Sequence, residues 1–365
     1  MDQKSSICFF NSNRKWGGGE KWHLEMATII AKSGNSVILA CHPGSELEKK
    51  AKHKNLTIFP VRISNLSFLN ISKIIRIKKM LRDNRVGTLF VNLPSDLKIA
   101  GLAARIAGNV RVIYRRGSAI PVKDSALNRM IFKKHIDDIL VNSEETGRTI
   151  LANNPGLFPK DKIHVIYNGI NLEEFDKQEG APVYQKQDDE LILATAGRLS
   201  VQKGHDLLFK VLRKFKTTGI HFRLLLAGDG EMKEEIIQMA QEMGVLENVT
   251  FLGFVDNIKP LLDQCDIFLL PSKWEGFGYV LVEAMACRKP IVAFHASSNP
   301  EVVADGETGF LIKDFNTDAF AEMIFLLANN PTMRLQMGER GRKRVEEKFT
   351  LERAARELEE MIVLQ

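Results

Sequence analysis

Two carboxylates eight residues apart, Glu275 and Glu283, bracket the stretch EGFGYVLVE. The first stands in a glycine-rich turn (Gly276, Phe277, Gly278) and the second among the apolar residues Tyr279, Val280, Leu281, Val282 and Met285. A carboxylate in apolar surroundings is costly unless a partner meets it, and two neighbouring sugar hydroxyls would meet it well. The apolar run DIFLLP before the turn reads as a strand and the residues after it as a helix. The amides of Gly276 to Val280 then fall at a helix N-terminus, a place suited to a phosphate or a hydroxyl.

A second candidate is LATAGRLSVQKGHDLL, where Arg198 and Lys203 follow a strand end at Gly197. Two cations five residues apart can reach one diphosphate, Arg as a planar fork and Lys as a point charge. Taken alone, they read equally as ordinary surface cations. A third is WGGGE, three glycines between the run SICFF and a helix expected from Glu20. Backbone amides without side chains could approach an anion there. The spacing is not G-x-G-x-x-G, and no acid stands where a nicotinamide dinucleotide would need one. Gly228-Asp229-Gly230 in LLLAGDGEM reads as a turn that shapes a pocket wall.

These turns need strands and helices to hold them. Short runs of Ile, Leu, Val and Phe ended by Gly or Pro recur along the chain, the mark of strands covered on both faces. The first half holds SICFF, SVILAC, LTIFPV, GTLFVN, VRVIY, DDILVN and KIHVIYN; the second holds LILATAG, FRLLLAG, VTFLGF, DIFLLP, PIVAF and GFLI. Helical patterns separate them, including 20–32, 98–107 and 128–135. Alternation repeated twice predicts an α/β protein of two doubly wound, Rossmann-like domains. The polar segment 171–190, with Gly180 and Pro182 and no periodicity, is the expected joint, giving domains 1–170 and 171–349. Amphipathic helices are expected over 331–349 and 351–364.

Composition bounds the rest. The 365 residues are 44% hydrophobic and 26% charged, ordinary for a folded chain long enough for two cores. No run of eighteen apolar residues exists, and Ile7–Phe10 is too short for a secretory signal. Cys8, Cys41, Cys265 and Cys287 are scattered, against a zinc site or disulfide framework and in keeping with buried thiols in a reduced cytosol. Residues 1–165 carry 28 Lys and Arg against 13 Asp and Glu, whereas 166–365 carry 23 against 32. Such asymmetry implies an anionic partner for the first half.

Helix 71–85, ISKIIRIKKMLRDNR, concentrates that charge. Ile71, Ile74, Ile75, Met80 and Leu81 are read as its apolar stripe, with Lys73, Arg76, Lys78, Lys79, Arg82 and Arg85 against the single acid Asp83. A packed surface helix with a solvated basic face is one reading, and docking on an anionic membrane surface is the other. Nucleic acid is disfavoured, since no aromatic residues interleave the charge.

With these motifs in view, a family resemblance is plain. E-G-F-G-x4-E resembles the E-x7-E signature of retaining glycosyltransferases of family 4, which have the GT-B fold. Gly197-Arg198-Leu199 with Lys203-Gly204, the Gly228-Asp229-Gly230 turn, VIYNGINLEEF and NPEVVADGETGFLI resemble further landmarks over nearly all of the second half. In the first half only GGGE resembles the family's G-G-x-E loop.

The resemblance implies two domains facing a cleft, with the final helix (350–365) packed back on the first. It implies that Arg198 and Lys203 hold the diphosphate of a nucleotide-sugar donor and that Glu283 binds the ribose hydroxyls. Glu275, with Gly276 and the amides of Phe277 and Gly278, would hold the donor sugar. Tyr279, Val280 and Leu281 would lie at the β-phosphate, Phe254 and Val255 beside the base, and Gly18 and Gly19 over the phosphates. Many relatives carry a histidine beyond the strand that here reads VRVIY. This chain has Arg115 and Arg116 instead, expected to contact donor sugar or, better, an anionic acceptor; His135 reads as structural. No Asp-x-Asp triplet occurs, so neither a metal nor another cofactor is expected. The implied reaction is sugar transfer to a glycan or lipid-linked acceptor in lipopolysaccharide or other cell-surface polysaccharide synthesis, at the inner membrane face. A nucleotide-sugar epimerase, a soluble synthase or a non-catalytic binding protein would share the fold.

Overall fold

The computed structural model describes residues 5–363. The chain divides into two compact units, one running to Asn168 and resuming at Glu352, the other Gly169–Leu351.

The first unit is built on seven strands: β1 (Ser6–Asn11), β2 (Val37–Cys41), β3 (Thr57–Pro60), β4 (Val86–Val91), β5 (Arg111–Arg116), β6 (Asp138–Val141) and β7 (Ile163–Val165). Their order is β3-β2-β1-β4-β5-β6-β7, and every neighbouring pair is parallel. The second unit has β8 (Leu191–Ala196), β9 (Phe222–Ala227), β10 (Val249–Gly253), β11 (Ile267–Leu270), β12 (Ile291–Phe294) and β13 (Gly309–Ile312). These are also parallel, in the order β10-β9-β8-β11-β12-β13. All thirteen apolar runs read from the sequence form strands; the inner strands are buried along nearly their whole length, whereas the edge strands β3, β7 and β10 are half-buried or partly exposed. Each sheet reverses its winding once, between β1 and β4 and between β8 and β11. In such sheets ligands bind beyond the strand C-termini at that reversal.

The polar segment 171–190 lies wholly within the second unit. Asn171 caps a short helix (Leu172–Asp176), and Asp176 meets Arg342 through two 2.7 Å bonds. Farther on, Val183 N and Tyr184 N both donate to Gln264 Oε1. The helix Pro331–Lys348 is followed by Leu351–Val363. Residues of this last helix count with the first unit, and Arg111 Nη1 donates to Met361 O at 2.7 Å. No helix among the described residues is long and apolar enough to cross a membrane. Cys8, Cys41 and Cys265 are buried free thiols; burial pushes all three, and half-buried Cys287, up to about 12.

The helix Ile71–Asp83 departs from its expected stripe. The buried side chains are Ile74, Ile77, Met80 and Leu81, whereas Ile71 and Ile75 are 71% and 58% exposed. At 100° per residue, positions 74, 77 and 81 share one face and 71 and 75 lie on the other. Ile77, passed over in the sequence reading, completes the buried face.

Candidate functional site

In the second unit the site grows from the ends of β8 and β11. After β8 the chain makes a tight turn (Val201–Lys203) and enters helix His205–Lys216 through Gly204, whose φ is 66°. A Cβ at Gly204 would lie 2.1 Å from Pro271 O, so only glycine lets this turn press against the end of β11. The contact sends the Lys203 side chain across the gap, and Lys203 Nζ meets Glu275 Oε1 at 2.5 Å. Ser272 Oγ donates to the same oxygen at 2.7 Å, and Ser298 Oγ donates to the Glu275 carbonyl at 3.3 Å. Both charged side chains are largely buried, so the pair interacts in a medium that screens it little. Glu275 is therefore held as a fixed carboxylate, with its ammonium partner and a hydroxyl on one oxygen.

The helix Tyr279–Ala286 opens immediately after left-handed Gly278. In its first turn Leu281 N donates to Gly278 O at 2.9 Å. Glu283 lies one turn in and is half-buried. The Phe277 side chain is core: it packs edge-on against Tyr279 and Phe349, both at 5.7 Å. Any role of Phe277 at a ligand is thus limited to its backbone. Arg198 is exposed at the end of β8. Phe254 is 71% exposed and Val255 half-buried beyond β10, the sheet's edge. At the usual strand spacing β10 lies about 10 Å from β8. The Gly228 turn is a packing device, since a Cβ there would lie 1.9 Å from Gly197 O.

Sequence reading missed Ser272 and Ser298. Ser272 had a signal, the S-x-x-E spacing to Glu275 that commonly marks reciprocal hydrogen bonding at a helix start. Ser298 had none; the tertiary fold alone brings it across.

In the first unit the ends of β1, β4 and β5 carry a second polar cluster. The helix after β1 begins at Gly18, not Glu20, so Gly18 and Gly19 form its first turn. Gly19 sits against Asn92, where a Cβ would approach Nδ2 to 2.8 Å. Buried Glu20 turns back and accepts from Asn11 Nδ2 and Asn13 Nδ2, both at 3.0 Å. Asp96, fully buried, accepts from Ser12 N at 2.8 Å and Ser12 Oγ at 2.5 Å. Burial pushes the Asp96 carboxyl up to about 7 despite those two bonds. His23 Nδ1 lies 2.9 Å from Gly19 O, and burial, with Arg115 nearby, pushes the imidazole down to about 3.

Arg115 and Arg116 do not act as a pair, because consecutive strand residues face opposite sides. Arg115 is buried over the Trp22 ring at 4.9 Å and donates to Asn92 Oδ1 and Asn168 Oδ1, each at 3.3 Å. Arg116 turns into its own loop, toward Ile120 O and the Tyr114 hydroxyl. His135 packs beside Gly101, and burial lowers its pKa. Asn11, Ser12 and Asp96 went unremarked in the sequence, where each is a lone polar residue at a strand end, in a loop or in a first turn, and Glu20 was noted only as a helix start and as the last residue of GGGE.

Two parallel, doubly wound sheets, the second with its charged cluster at the winding reversal, define the GT-B class. Two family profiles then match in succession: Glycosyltransferase Family 4 over residues 16–174 and Glycosyl transferases group 1 over 176–344. The chain belongs to the family 4-type glycosyltransferases of the GT-B fold. It is 32% identical over 208 residues to the uncharacterized glycosyltransferase MJ1607 of Methanocaldococcus jannaschii, a match covering 54% of this chain and 53% of that one. A Campylobacter jejuni relative is 28% identical over 282 residues, 74% of each chain. That protein is the N-acetylgalactosamine-N,N'-diacetylbacillosaminyl-diphospho-undecaprenol 4-alpha-N-acetylgalactosaminyltransferase. Among solved structures, Anabaena HepE in complex with UDP superposes with a TM-score of 0.83 at 18% identity, covering 99% of this chain and all of that one.

Proposed function

We propose that this protein transfers a sugar, with retention at the anomeric carbon, from a nucleoside-diphosphate donor to a lipid-linked glycan of cell-surface polysaccharide synthesis. The observation that carries the reading is the buried Lys203–Glu275–Ser272 cluster beside a helix N-terminus at the reversal of the second sheet. A fixed carboxylate accepts hydroxyls of the donor sugar, while Arg198, Lys203 and the amides of Tyr279 to Leu281 face the diphosphate. Glu283 takes the ribose hydroxyls, and Phe254 and Val255 flank the base. The UDP bound by HepE and the diphospho-undecaprenol in the C. jejuni relative's name support a nucleotide donor and a lipid-linked acceptor.

The chemistry is a charge problem. As the bond from the anomeric carbon to the β-phosphate oxygen breaks, its electron pair moves onto the leaving diphosphate. Arg198, Lys203 and the helix amides stabilise that charge, each such donor being worth roughly 3–4 kcal/mol of barrier. The acceptor hydroxyl attacks from the same face and gives its proton to the departing phosphate. In this scheme the cations do the work of a metal, and no covalent role falls to Glu275. The work is placed at the inner face of the cell membrane, where such acceptors would be presented.

Thermal unfolding against UDP, GDP and ADP, with and without EDTA, tests the donor site. A nucleotide at about a hundred times its Kd should stabilise the protein by about 2.7 kcal/mol. The expected shift comes with one base, survives EDTA and disappears in Glu283→Ala. No shift with any nucleotide would overturn the donor assignment.

A further inference from the structure

The first unit carries an outward surface that the transfer reaction does not use. Residues 67–69 form a single tight turn; Leu66 immediately before it and Leu69 at its end are 69% and 67% exposed. Phe68 turns inward, packs on the core and lies under Lys98 Nζ at 5.7 Å. Asn70 then caps the helix Ile71–Asp83, and exposed Ile71 and Ile75 follow one helical turn apart. Four large aliphatic side chains in one short stretch are not the scattered single exposures a soluble surface ordinarily shows. Along the same outward face the helix continues with Lys78, Lys79 and Arg82.

Beside this ridge, within the same unit, lies a hollow of roughly 380 Å³. Pro43, Ile63 and Ile77 make its apolar wall, and Arg62, Lys73 and Arg76 supply three cations. Lys73 Nζ donates to Arg62 O and Ser67 Oγ, while Arg76 donates to Pro60 O and lies over the Phe59 ring at 5.1 Å. These contacts are with carbonyl, hydroxyl and ring, which orient the cations without neutralising them.

We infer that residues 62–79 dock the protein on a bilayer containing anionic phospholipid. Leu66, Leu69, Ile71 and Ile75 enter the acyl boundary, Lys78 and Lys79 lie along the headgroups, and the hollow receives one headgroup phosphate. Charge and shape select this occupant. Apolar side chains flanked by cations match the boundary between acyl chains and anionic headgroups. The exposed residues are aliphatic, which disfavours base stacking on a nucleic acid. The inference extends the lipid-linked acceptor reading, giving the protein a route to a membrane-held substrate, and its test needs neither donor nor turnover.

The test is flotation with vesicles of phosphatidylcholine, with or without about 30 mol % phosphatidylglycerol, in the absence of nucleotide. Wild type should float with the anionic vesicles and be released by salt. Leu69→Ser/Ile75→Ser and Lys78→Glu/Lys79→Glu should each weaken binding at least roughly tenfold. Arg62→Glu/Arg76→Glu should abolish the preference for the anionic lipid. These positions are exposed or at the rim, and unchanged circular dichroism and nucleotide-induced thermal shift would show that each variant folds. Wild type that floats with neither vesicle, or variants that float as wild type does, would overturn the inference. So would wild type that ignores vesicles but retains an acidic protein that the same variants release. A protein that floats as expected yet shows no nucleotide shift would keep the docking surface and lose the transferase reading.

Discussion

The two polar clusters at the strand ends are built on different principles. In the second unit two charges, Lys203 and Glu275, are buried as a pair while Arg198 is exposed at the end of β8. In the first unit the ionisable groups are turned inward onto neutral partners: Glu20 onto asparagines, Asp96 onto a serine, Arg115 onto asparagines and a tryptophan ring. The first arrangement keeps opposite charges in direct contact. The second spends its polar groups fixing a wall, and its burial displaces the ionisation of Asp96 and His23.

The sharpest way to break that contrast is at Lys203. Lys203→Ala should lower kcat/KM by about a hundredfold or more, on the scale of losing one leaving-group donor. It should also destabilise by roughly 3–5 kcal/mol, because the Glu275 carboxylate is left buried and unpaired. Arg198→Ala should show a comparable loss of rate with unfolding unchanged, since that side chain is exposed. Steady-state kinetics with paired urea melts separate the two. Equal stability loss in both variants would erase the distinction drawn between the buried and the exposed cation.

In the first unit, Arg115→Ala should act mainly on stability. It leaves Asn92 and Asn168 without a donor and Trp22 without its cation, at a cost of about 1–3 kcal/mol. A loss of transfer rate with no change in unfolding would instead place Arg115 at a substrate.

The smallest effect concerns pH. His23 and His205, whose pKa values fall from 6.5 to about 3 and about 4, stay neutral in the fold while the unfolded chain takes up protons. Their contribution is complete above about pH 6.5 and is lost as pH falls toward 4 and 3. Asp96 runs the other way: its pKa rises from 3.8 to about 7, so its contribution is present below about pH 4 and lost as pH rises through 7. Asp96→Asn should therefore gain in Tm relative to wild type as pH is raised from 4 to 8. A pH-independent difference between the two melting curves would show that Asp96 titrates in the fold as it does in the unfolded chain.

How much of this was legible beforehand differs by element. The inner strands were readable because a strand buried on both faces must be an unbroken apolar run, and such runs need no partner to be recognised. Arg198, Lys203, Glu275 and Glu283 were readable because cations and acids near glycine turns are costly and conspicuous. The outward face of Ile71–Asp83 was misread because an isoleucine looks the same whether it faces core or solvent. Only the packing of that helix against its sheet showed that Ile77 goes in and Ile71 and Ile75 stay out.

By itself, then, the sequence determined the two parallel α/β units, the family and the charged residues near the strand ends, since periodicity, glycine turns and charge are local properties. The tertiary structure decided that Lys203 meets Glu275, that Ser298 reaches the same turn and that Arg115 parts from Arg116. It also left four aliphatic side chains facing outward beside unneutralised cations. Each of these depends on which distant segments are brought within a few ångströms, and that is set by sheet order and close packing rather than by any spacing along the chain.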